Sequence, residues 1–275
     1  PSSPHISGIQ AKYLLEQTRQ NARHVIGAPD GDILFTSGAT EGIQTAIVST
    51  LIHAKNHTIK NPVLLYGATE HKAVPNTLKH WNSVLGINAQ LLAIPVDSKG
   101  VLDLAFISEH INNALMICTM AVNNETGVYQ GLNAIEHTIR SRNKSVPWMV
   151  DCVQALGKQA LALSSTSIDY APFSGHKLYA PKGIGFLYIK NGSAYTPFIA
   201  GGGQESGMRS GTENLPGIAG LNKLFNLLLD KNDDTFKSVE VLNSYRAQLL
   251  NALQSTFGDI TFNHDFSHSV HTTLN

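Results

Sequence analysis

The chain has 275 residues, of which 42% are hydrophobic and 15% are charged, a composition that allows one large buried core and part of a second. Lysine plus arginine and aspartate plus glutamate each number 20, so no net charge is available to attract nucleic acid or an anionic membrane. No apolar run approaches the ~20 residues that span a bilayer, and the first residues lack the pattern of a secretory signal. We expect a small-molecule ligand, with no nucleic-acid or membrane partner.

Short apolar runs alternate with helical stretches as far as residue 189. The runs predict buried strands at 33–36, 62–66, 87–96, 114–122, 146–150, 168–173 and 184–189. Between them, apolar residues recur at helical spacing over 41–55, 104–114 and 132–143. Repeated strand–helix–strand units predict an α/β fold around a mostly parallel sheet. In such sheets ligands collect at the carboxyl ends of the strands.

The pattern changes after Pro216. Two helical stretches, 217–231 and 236–257, are separated by polar residues 232–234. We interpret the break as a hinge between a large domain, 1–232, and the beginning of a smaller C-terminal domain, 233–275. The closing residues HSVHTTLN alternate like a first strand with no sheet to join.

The turn TSGAT at 36–40 joins the first strand to a helix. Its backbone N–H groups and hydroxyls are suited to hold a phosphate. A plain helix cap by serine or threonine explains these residues equally well when they are taken alone.

Asp151 ends the strand 146–150, where its carboxylate could pair with a protonated ring nitrogen, and Gln154 could donate to a ring oxygen. Lys177 follows the strand 168–173, and a desolvated lysine there can form an imine. Taken singly, a helix-capping aspartate and a solvated lysine are the commoner roles. Together with the turn at 36–40, however, these residues supply the phosphate anchor, counter-charge and amine of a pyridoxal 5′-phosphate (PLP) site.

Three further segments contain candidate residues. His71 could stack on a flat ring or move protons, or it could simply begin a helix. Asn124 could hydrogen-bond a ring or a substrate carboxylate, or it could form a turn. The glycine-rich segment 201–214, with Arg209 and Thr212, is predicted to be either a disordered loop or a backbone clamp for an anion.

Six blocks of sequence occur in a familiar order: FTSGAT, TEHKAV, VNNETGVYQ, VDCVQALGK, SGHKLYAPKGIG and GGGQESGMRSGTEN. In them the chain resembles the group I (NifS/IscS-type) cysteine desulfurases of the class V aminotransferase family. The resemblance implies a PLP-dependent transferase fold of type I. It implies that Lys177 holds PLP as a Schiff base, that Asp151 pairs with the ring nitrogen, that Gln154 contacts the ring hydroxyl and that His71 stacks on the ring. It further implies that the phosphate is surrounded by Ala39, Thr40, Ser174 and His176, with Thr212 reaching the phosphate of a partner subunit and Asn124 lying near the cofactor.

The resemblance also implies a reaction. L-cysteine would be converted to L-alanine and persulfide sulfur for iron–sulfur cluster or thiolation pathways, with Lys177 and His71 as the catalytic residues. The expected assembly is a homodimer that serves a sulfur-acceptor or iron–sulfur scaffold protein. Alternatives are another class V reaction, such as transamination or selenocysteine cleavage, and a non-catalytic PLP-fold module that dimerises.

The resemblance departs from the family pattern at both ends of the chain. The family's sulfur-accepting cysteine and its carboxylate-binding arginine fall beyond residue 275, so the chain resembles a truncated member that would bind PLP without releasing catalytic sulfide. Cys118 and Cys152 are expected to be buried thiols, and so few cysteines suit a reducing, cytoplasmic compartment. The histidines 264, 268 and 271 lie in an irregular polar stretch, so no metal site is expected.

Overall fold

A seven-stranded sheet organises the computed structural model, which describes residues 4–55, 59–230, 232–263 and 265–275. The strands are β1 Asp32–Thr36, β2 Val63–Gly67, β3 Gln90–Ile94, β4 Ala114–Met120, β5 Trp148–Asp151, β6 Tyr170–Ser174 and β7 Gly185–Ile189. The helices are α1 Ile6–Val25, α2 Ala39–Ala54, α3 Ala73–Val84, α4 Leu104–His110, α5 Leu132–Arg142, α6 Leu215–Leu229 and α7 Val239–Phe257. Each of the seven strands predicted from the apolar runs is confirmed, and its ends differ from the prediction by a few residues.

The strand order is β1-β7-β6-β5-β4-β2-β3. Pairings among β3, β2, β4, β5 and β6 are parallel, whereas β7 runs antiparallel to both β6 and β1. The predicted mostly parallel sheet is therefore confirmed. The reversal of β7 was not predicted, and its cause is the short link 175–184, which contains no crossover helix of the kind that parallel strands need.

Alternate residues along the strands supply two apolar cores, one on each face of the sheet. Ile33 and Phe35 belong to one core and Leu34 to the other, as the two-residue period of a strand requires. The first core is completed by α1, α4, α5 and α6, and the second by α2 and α3. The domain is thus a three-layer sandwich, helix on sheet on helix.

Two helices were not predicted from the sequence. In α1 the apolar residues Ile6, Ile9 and Tyr13 are exposed, and the buried apolar positions are Leu15 and Ala22, so the apolar stripe is too broken to be read as amphipathic. The other, α3, begins directly after His71 and therefore helps to place that side chain.

The C-terminal residues return to the large domain. No residue of α7 is buried, but the chain that follows it packs on the loop after β4. Tyr129 N–H donates to His268 C=O at 2.9 Å, and Val270 N–H donates to Gly127 C=O at 2.9 Å. The predicted strand 268–275 is therefore wrong: only Ser269 forms a bridge, to Val128, and the stretch joins no strand of the sheet. The proposed boundary at 232 stays a prediction.

None of the described helices combines the length and the apolar character needed to cross a bilayer.

Candidate active site

A cavity of about 270 Å³ opens at the edge of the sheet where β1, β2, β4, β5 and β6 all end. All the predicted cofactor residues except Thr212 line it: Ala39, Thr40, His71, Asn124, Asp151, Gln154, Ser174, His176 and Lys177. Ile43, Ala73, Met120, Val122 and Val153 supply its apolar lining. The topology of the sheet therefore brings residues that are up to 138 positions apart, from 39 to 177, to one place.

The turn before α2 lies against β6 and β7. Ala39 N–H, the first of the helix, donates to Ser174 Oγ at 2.8 Å. A Cβ at Gly185 would lie only 2.8 Å from Gly38 Cα, so glycine at 185 is what allows the turn to approach the strand this closely. The N–H groups in the first turn of an α-helix have no carbonyl partner within the helix. The N-terminal end of α2, beside Thr40, is therefore suited to bind an anion.

Asp151 ends β5 with its side chain turned into the cavity. Only 7% of the residue is exposed, and its Oδ1 accepts a hydrogen bond from Val153 N–H at 3.0 Å. Burial raises the pKa of Asp151, while the Val153 N–H and the charge of His71 act in the opposite direction. The carboxylate has no ion pair among the described residues, so a cationic ligand group would relieve its desolvation.

Lys177 lies in a short 3-10 turn, Gly175–Leu178, which directly follows β6. Tyr179 closes this turn in the left-handed conformation, with φ of +67°. Both His176 and Lys177 are exposed side chains on the cavity wall. Burial, followed by the charges of Lys177 and Lys182, lowers the pKa of His176, so its ring is mostly neutral at neutral pH.

The structure confirms the helix-starting role of His71, while its stacking on a ring or its movement of protons stays a prediction. Its Nδ1 accepts a hydrogen bond from Ala73 N–H at 3.2 Å, so it does help to begin α3, and it also lines the cavity. Because Nδ1 is an acceptor, the neutral ring carries its proton on Nε2.

The two neighbouring asparagines divide the roles predicted for Asn124. Asn123 forms the turn: its Oδ1 accepts from the N–H groups of Glu125 and Thr126, each at 2.9 Å, and its Nδ2 donates to Thr69 C=O. Asn124 is left to face the cavity. The doublet of asparagines in the sequence indicates this division, because one asparagine is enough to form the turn and the second is then available to the cavity.

Two residues near the site were not selected from the sequence. Glu70 borders a second cavity of about 420 Å³ that shares His71 and Asn124 with the first. Both of its carboxyl oxygens are buried without a side-chain partner among the described residues, and only the Met120 backbone acts against the rise that burial causes in its pKa. Lys158 Nζ donates to Gln154 Oε1 from four residues along the chain. The spacing of four residues between Gln154 and Lys158 in VQALGK was enough to predict this contact from the sequence.

The glycine-rich segment 201–214 is held by ion pairs to other parts of its own chain, which corrects the prediction of a disordered loop. Arg209 forms a bidentate ion pair with Glu41 in α2, at 2.8 and 3.2 Å. Glu205 forms a second with Arg19 in α1, at 3.0 and 3.1 Å, and also accepts from Phe35 N–H. Thr212 is exposed beside a separate cavity of about 140 Å³, which Thr36 and Ser37 also line, and its reach to a partner subunit stays a prediction.

Both cysteines are buried, as predicted. Cys152 belongs to the core on one face of the sheet and Cys118 to the core on the other, and neither lines the cavity. Burial, and secondarily the nearby Asp151, raises the pKa of Cys152; burial, with Glu70, raises that of Cys118. Within the described part of the chain no three histidine, cysteine or carboxylate side chains gather as a metal site; His264 lies outside the described residues.

Comparison with known proteins identifies relatives of this arrangement. The aminotransferase class-V family profile matches residues 2–271. A cysteine desulfurase IscS from Rickettsia prowazekii is 36% identical over 277 residues, covering all of this chain and 65% of the relative. Among solved structures, a NifS-like protein superposes with a TM-score of 0.90 at 31% identity, over all of this chain and 72% of that one. SspA in complex with cysteine superposes with a TM-score of 0.84 at 28% identity, over all of this chain and 74% of that one. The chain spans about two thirds of the length of the curated relatives that it matches.

Proposed function

The chain belongs to the aminotransferase class-V family, and on this premise we propose that it is the PLP-binding core of a cysteine desulfurase, an enzyme that converts L-cysteine to L-alanine. The observation that carries the proposal is the cavity of about 270 Å³ at the sheet edge. There the buried carboxylate of Asp151, the amine of Lys177 and the first turn of α2 face one another. Relatives named as cysteine desulfurases, and a structural neighbour solved with cysteine, support the choice of substrate.

The residues present fit PLP. Asp151 is a buried carboxylate that lacks a cation, and a protonated pyridine nitrogen would supply one. The open N-terminal end of α2, with Thr40, Ser174 and His176, offers N–H and hydroxyl donors for a phosphate. A volume of about 270 Å³ is close to the lower end of ordinary ligand cavities, about 300–1,000 Å³.

Each polar residue of the cavity then has a task. Asp151 would keep the ring nitrogen protonated, and Gln154 would donate to the ring oxygen. His71, whose Nδ1 accepts from the Ala73 N–H, would cover one face of the bound ring. Asn124 would hydrogen-bond the substrate carboxylate. Bound PLP would supply an electron sink that weakens the bonds around the substrate Cα and Cβ.

Lys177 would both attach the cofactor and move protons. Its Nζ would be the amine that holds the PLP aldehyde. Once substrate occupies the cavity, the same nitrogen is the base available at the substrate Cα, since it is an exposed amine on the cavity wall. His71 is the second proton carrier on this wall.

The thiol that would accept the substrate sulfur is not supplied by residues 1–275. Cys118 and Cys152 are buried in the two cores with raised pKa values, and neither reaches the cavity. The proposed balance is L-cysteine plus R–SH giving L-alanine plus R–S–SH, where R–SH belongs to a longer form of the chain or to another molecule. An iron–sulfur scaffold or other acceptor protein in a reducing, cytoplasmic compartment is part of this proposal.

The proposed assembly is a homodimer. Thr212 is exposed at the surface of a segment whose backbone is already fixed by two ion pairs, so it is suited to contact a second copy. Sedimentation of the cofactor-loaded chain should give the mass of two chains, and a strict monomer with full PLP content would contradict this role of Thr212.

The cofactor site is tested by trapping. We expect borohydride reduction of the PLP-treated chain, followed by peptide mapping, to place the phosphopyridoxyl group on Lys177. Lys177→Ala should give no such label and no visible absorbance, whereas Lys182→Ala, an exposed neighbour, should be labelled as the parent is. Label on another lysine of the parent would refute the site.

The reaction is tested with the same material. Without an added acceptor thiol, the PLP-loaded chain should release no catalytic sulfide from L-cysteine. With a small dithiol as acceptor it should yield alanine and sulfide in equal amounts, and Cys118→Ser and Cys152→Ser should leave that rate unchanged. Transfer of the amino group to a keto acid, or turnover of selenocysteine alone, would identify a different class V reaction. Cofactor binding without any turnover would support a non-catalytic module.

A further inference from the structure

Lys158 lies beside the cavity but is not part of its wall. It is held in the turn that follows β5, where Ala155 N–H donates to Cys152 C=O at 3.0 Å and Lys158 N–H donates to Ala155 C=O at 3.0 Å. Across this turn Lys158 Nζ donates to Gln154 Oε1. Gln154 lines the cavity, and Lys158 is half-buried behind it.

The chemistry of the two side chains fixes which end of the amide faces the cavity. A lysine ammonium has three donors and no acceptor. The amide of Gln154 must therefore turn its oxygen toward Lys158, and this leaves its NH₂ group for the cavity. Among the described residues, Gln154 Nε2 makes no hydrogen bond, so the donor is free for a ligand.

The turn that contains Lys158 is packed against the segment that carries Lys177. Gly157 adopts a φ of +71°, and a Cβ there would lie 2.6 Å from Leu178 Cδ2, so the turn packs directly on the segment that carries Lys177. Burial, and after it the charge of Lys177, lowers the pKa of Lys158. The two lysines are thus close enough for their charges to interact.

We propose that Lys158 is a positioning residue: it holds the amide of Gln154 with its donor end toward the ring oxygen of bound PLP. The inference rests on the proposed function, because the ring oxygen belongs to the proposed cofactor. Without Lys158 the amide is free to rotate, so its donor end is no longer held toward the cavity before PLP binds, and binding must then also fix its orientation. A hydrogen bond to a charged group contributes about 1.5–3 kcal/mol, which corresponds to roughly a 10-fold to 100-fold change in affinity.

The experiment measures PLP affinity and the absorbance maximum of the bound cofactor in the parent, Lys158→Met, Lys158→Arg and Lys182→Met. We expect Lys158→Met to weaken PLP binding about 10-fold and to shift the absorbance maximum. Lys158→Arg keeps a donor and should stay within about threefold of the parent. Lys182→Met removes an exposed lysine that also acts on His176, so it reports the effect of charge alone and should change affinity by less than about twofold.

A double-mutant cycle shows whether Lys158 acts through Gln154. In the Gln154→Ala background, Lys158→Met should cost no further affinity. An unchanged penalty there would overturn the proposal in favour of a direct charge effect on Lys177. If Lys158→Met does not fold, as judged by the thermal unfolding of the cofactor-free chain, Lys158→Ala replaces it in the same cycle.

The outcomes separate this inference from the function on which it rests. A parent chain that gains no visible absorbance with PLP refutes both. A parent that binds PLP, with Lys158→Met binding equally well and with the same absorbance maximum, refutes the role of Lys158 alone.

Discussion

The glycine-rich segment 201–214 and the cavity at the sheet edge both depend on buried carboxyl groups, but only the first region supplies those groups with cations. Glu41 and Glu205 each accept two hydrogen bonds from an arginine. Burial would raise the pKa of Glu41, yet Arg209 and the Ser37 N–H outweigh it and bring the pKa below its ordinary value. In the cavity region Asp151 and Glu70 have no such partner among the described residues, and burial raises the pKa of both.

The difference separates a structural use of charge from a functional one. A buried carboxylate paired with arginine holds two parts of the fold together and is already satisfied. A buried carboxylate without a cation lowers the stability of the fold, and a positively charged ligand group reverses that cost. We therefore infer that the ion pairs of Glu41 and Glu205 hold the segment 201–214 in place, whereas the unpaired Asp151 serves to bind a ligand.

The largest expected effect comes from breaking a paired carboxylate. Arg209→Met would leave Glu41 buried with only the Ser37 N–H as a partner. Removing one member of a fully buried pair costs about 3–5 kcal/mol; Arg209 is 22% exposed, so we expect the free energy of unfolding to fall by about 2–3 kcal/mol. Denaturant titration of the cofactor-free chain measures this change.

Two controls make that result specific. Glu41→Gln combined with Arg209→Met removes the unpaired charge and should recover part of the loss. Lys237→Met breaks an exposed pair with Asp234 and should change the free energy of unfolding by no more than about 0.5 kcal/mol. Equal losses in Arg209→Met and Lys237→Met would mean that the Glu41 pair does not hold the segment.

Replacing the unpaired Asp151 should have the opposite effect on stability. Its folded pKa is raised above the unfolded value, so the unfolded state ionises first and stability falls as the pH rises above 3.8. Asp151→Asn keeps an oxygen for the Val153 N–H and removes the charge. We expect the cofactor-free variant to melt at the same or a higher temperature than the parent at neutral pH, and to bind PLP at least about 10-fold more weakly.

Calorimetry and a PLP titration on one preparation test both parts. A variant that loses stability and keeps its PLP affinity would show that Asp151 is a structural residue, in the role of a helix or turn cap that its sequence position also allowed. Loss of both would point to a general disturbance of β5.

The contrast between the two regions was only partly readable from the sequence. Short apolar runs revealed every strand, and because parallel strands end at one edge, the sequence alone predicts that Ala39, Asp151 and Lys177 share one site. The cofactor itself came from the combination of chemical types at those ends and from the family resemblance. The reversed β7 was missed because periodicity carries no strand direction.

The sequence did not predict which charged residues form ion pairs. Glu41 and Arg209 are separated by 168 positions, and Arg19 and Glu205 by 186, so no local pattern joins them. The glycine content of the segment 201–214 consequently favoured a flexible loop. Within TEHKAV, Glu70 gives no signal of its own, because its carboxyl group is buried by folding back beside Gly67, where a Cβ would lie 2.9 Å from Oε1, and a one-dimensional pattern does not contain that approach.

The smallest expected effect is at Glu70, the unpaired carboxyl beside the cavity. Burial, with Asp151 adding to it, raises the pKa of Glu70 well above its ordinary value of 4.5. Below pH 4.5 the folded and unfolded states are both protonated, and the group does not affect stability. Above pH 4.5 the carboxyl group ionises in the unfolded state but stays protonated in the folded state, so stability falls with rising pH until the folded pKa is passed. Glu70→Gln should remove this penalty and raise the free energy of unfolding at pH 7 by on the order of 1 kcal/mol.

The pH dependence decides whether that gain has the proposed cause. Glu70→Gln and the parent should be equally stable near pH 4 and diverge steadily as the pH rises, because only the parent has a carboxyl group to ionise at this position. Glu125→Gln is the matched control: Glu125 is an exposed residue on the same second cavity, and its replacement should change stability by no more than about 0.5 kcal/mol at any pH. A gain in Glu70→Gln that is the same at pH 4 and pH 7 would instead assign it to side-chain packing, and Glu70 would then join the paired glutamates as a structural residue.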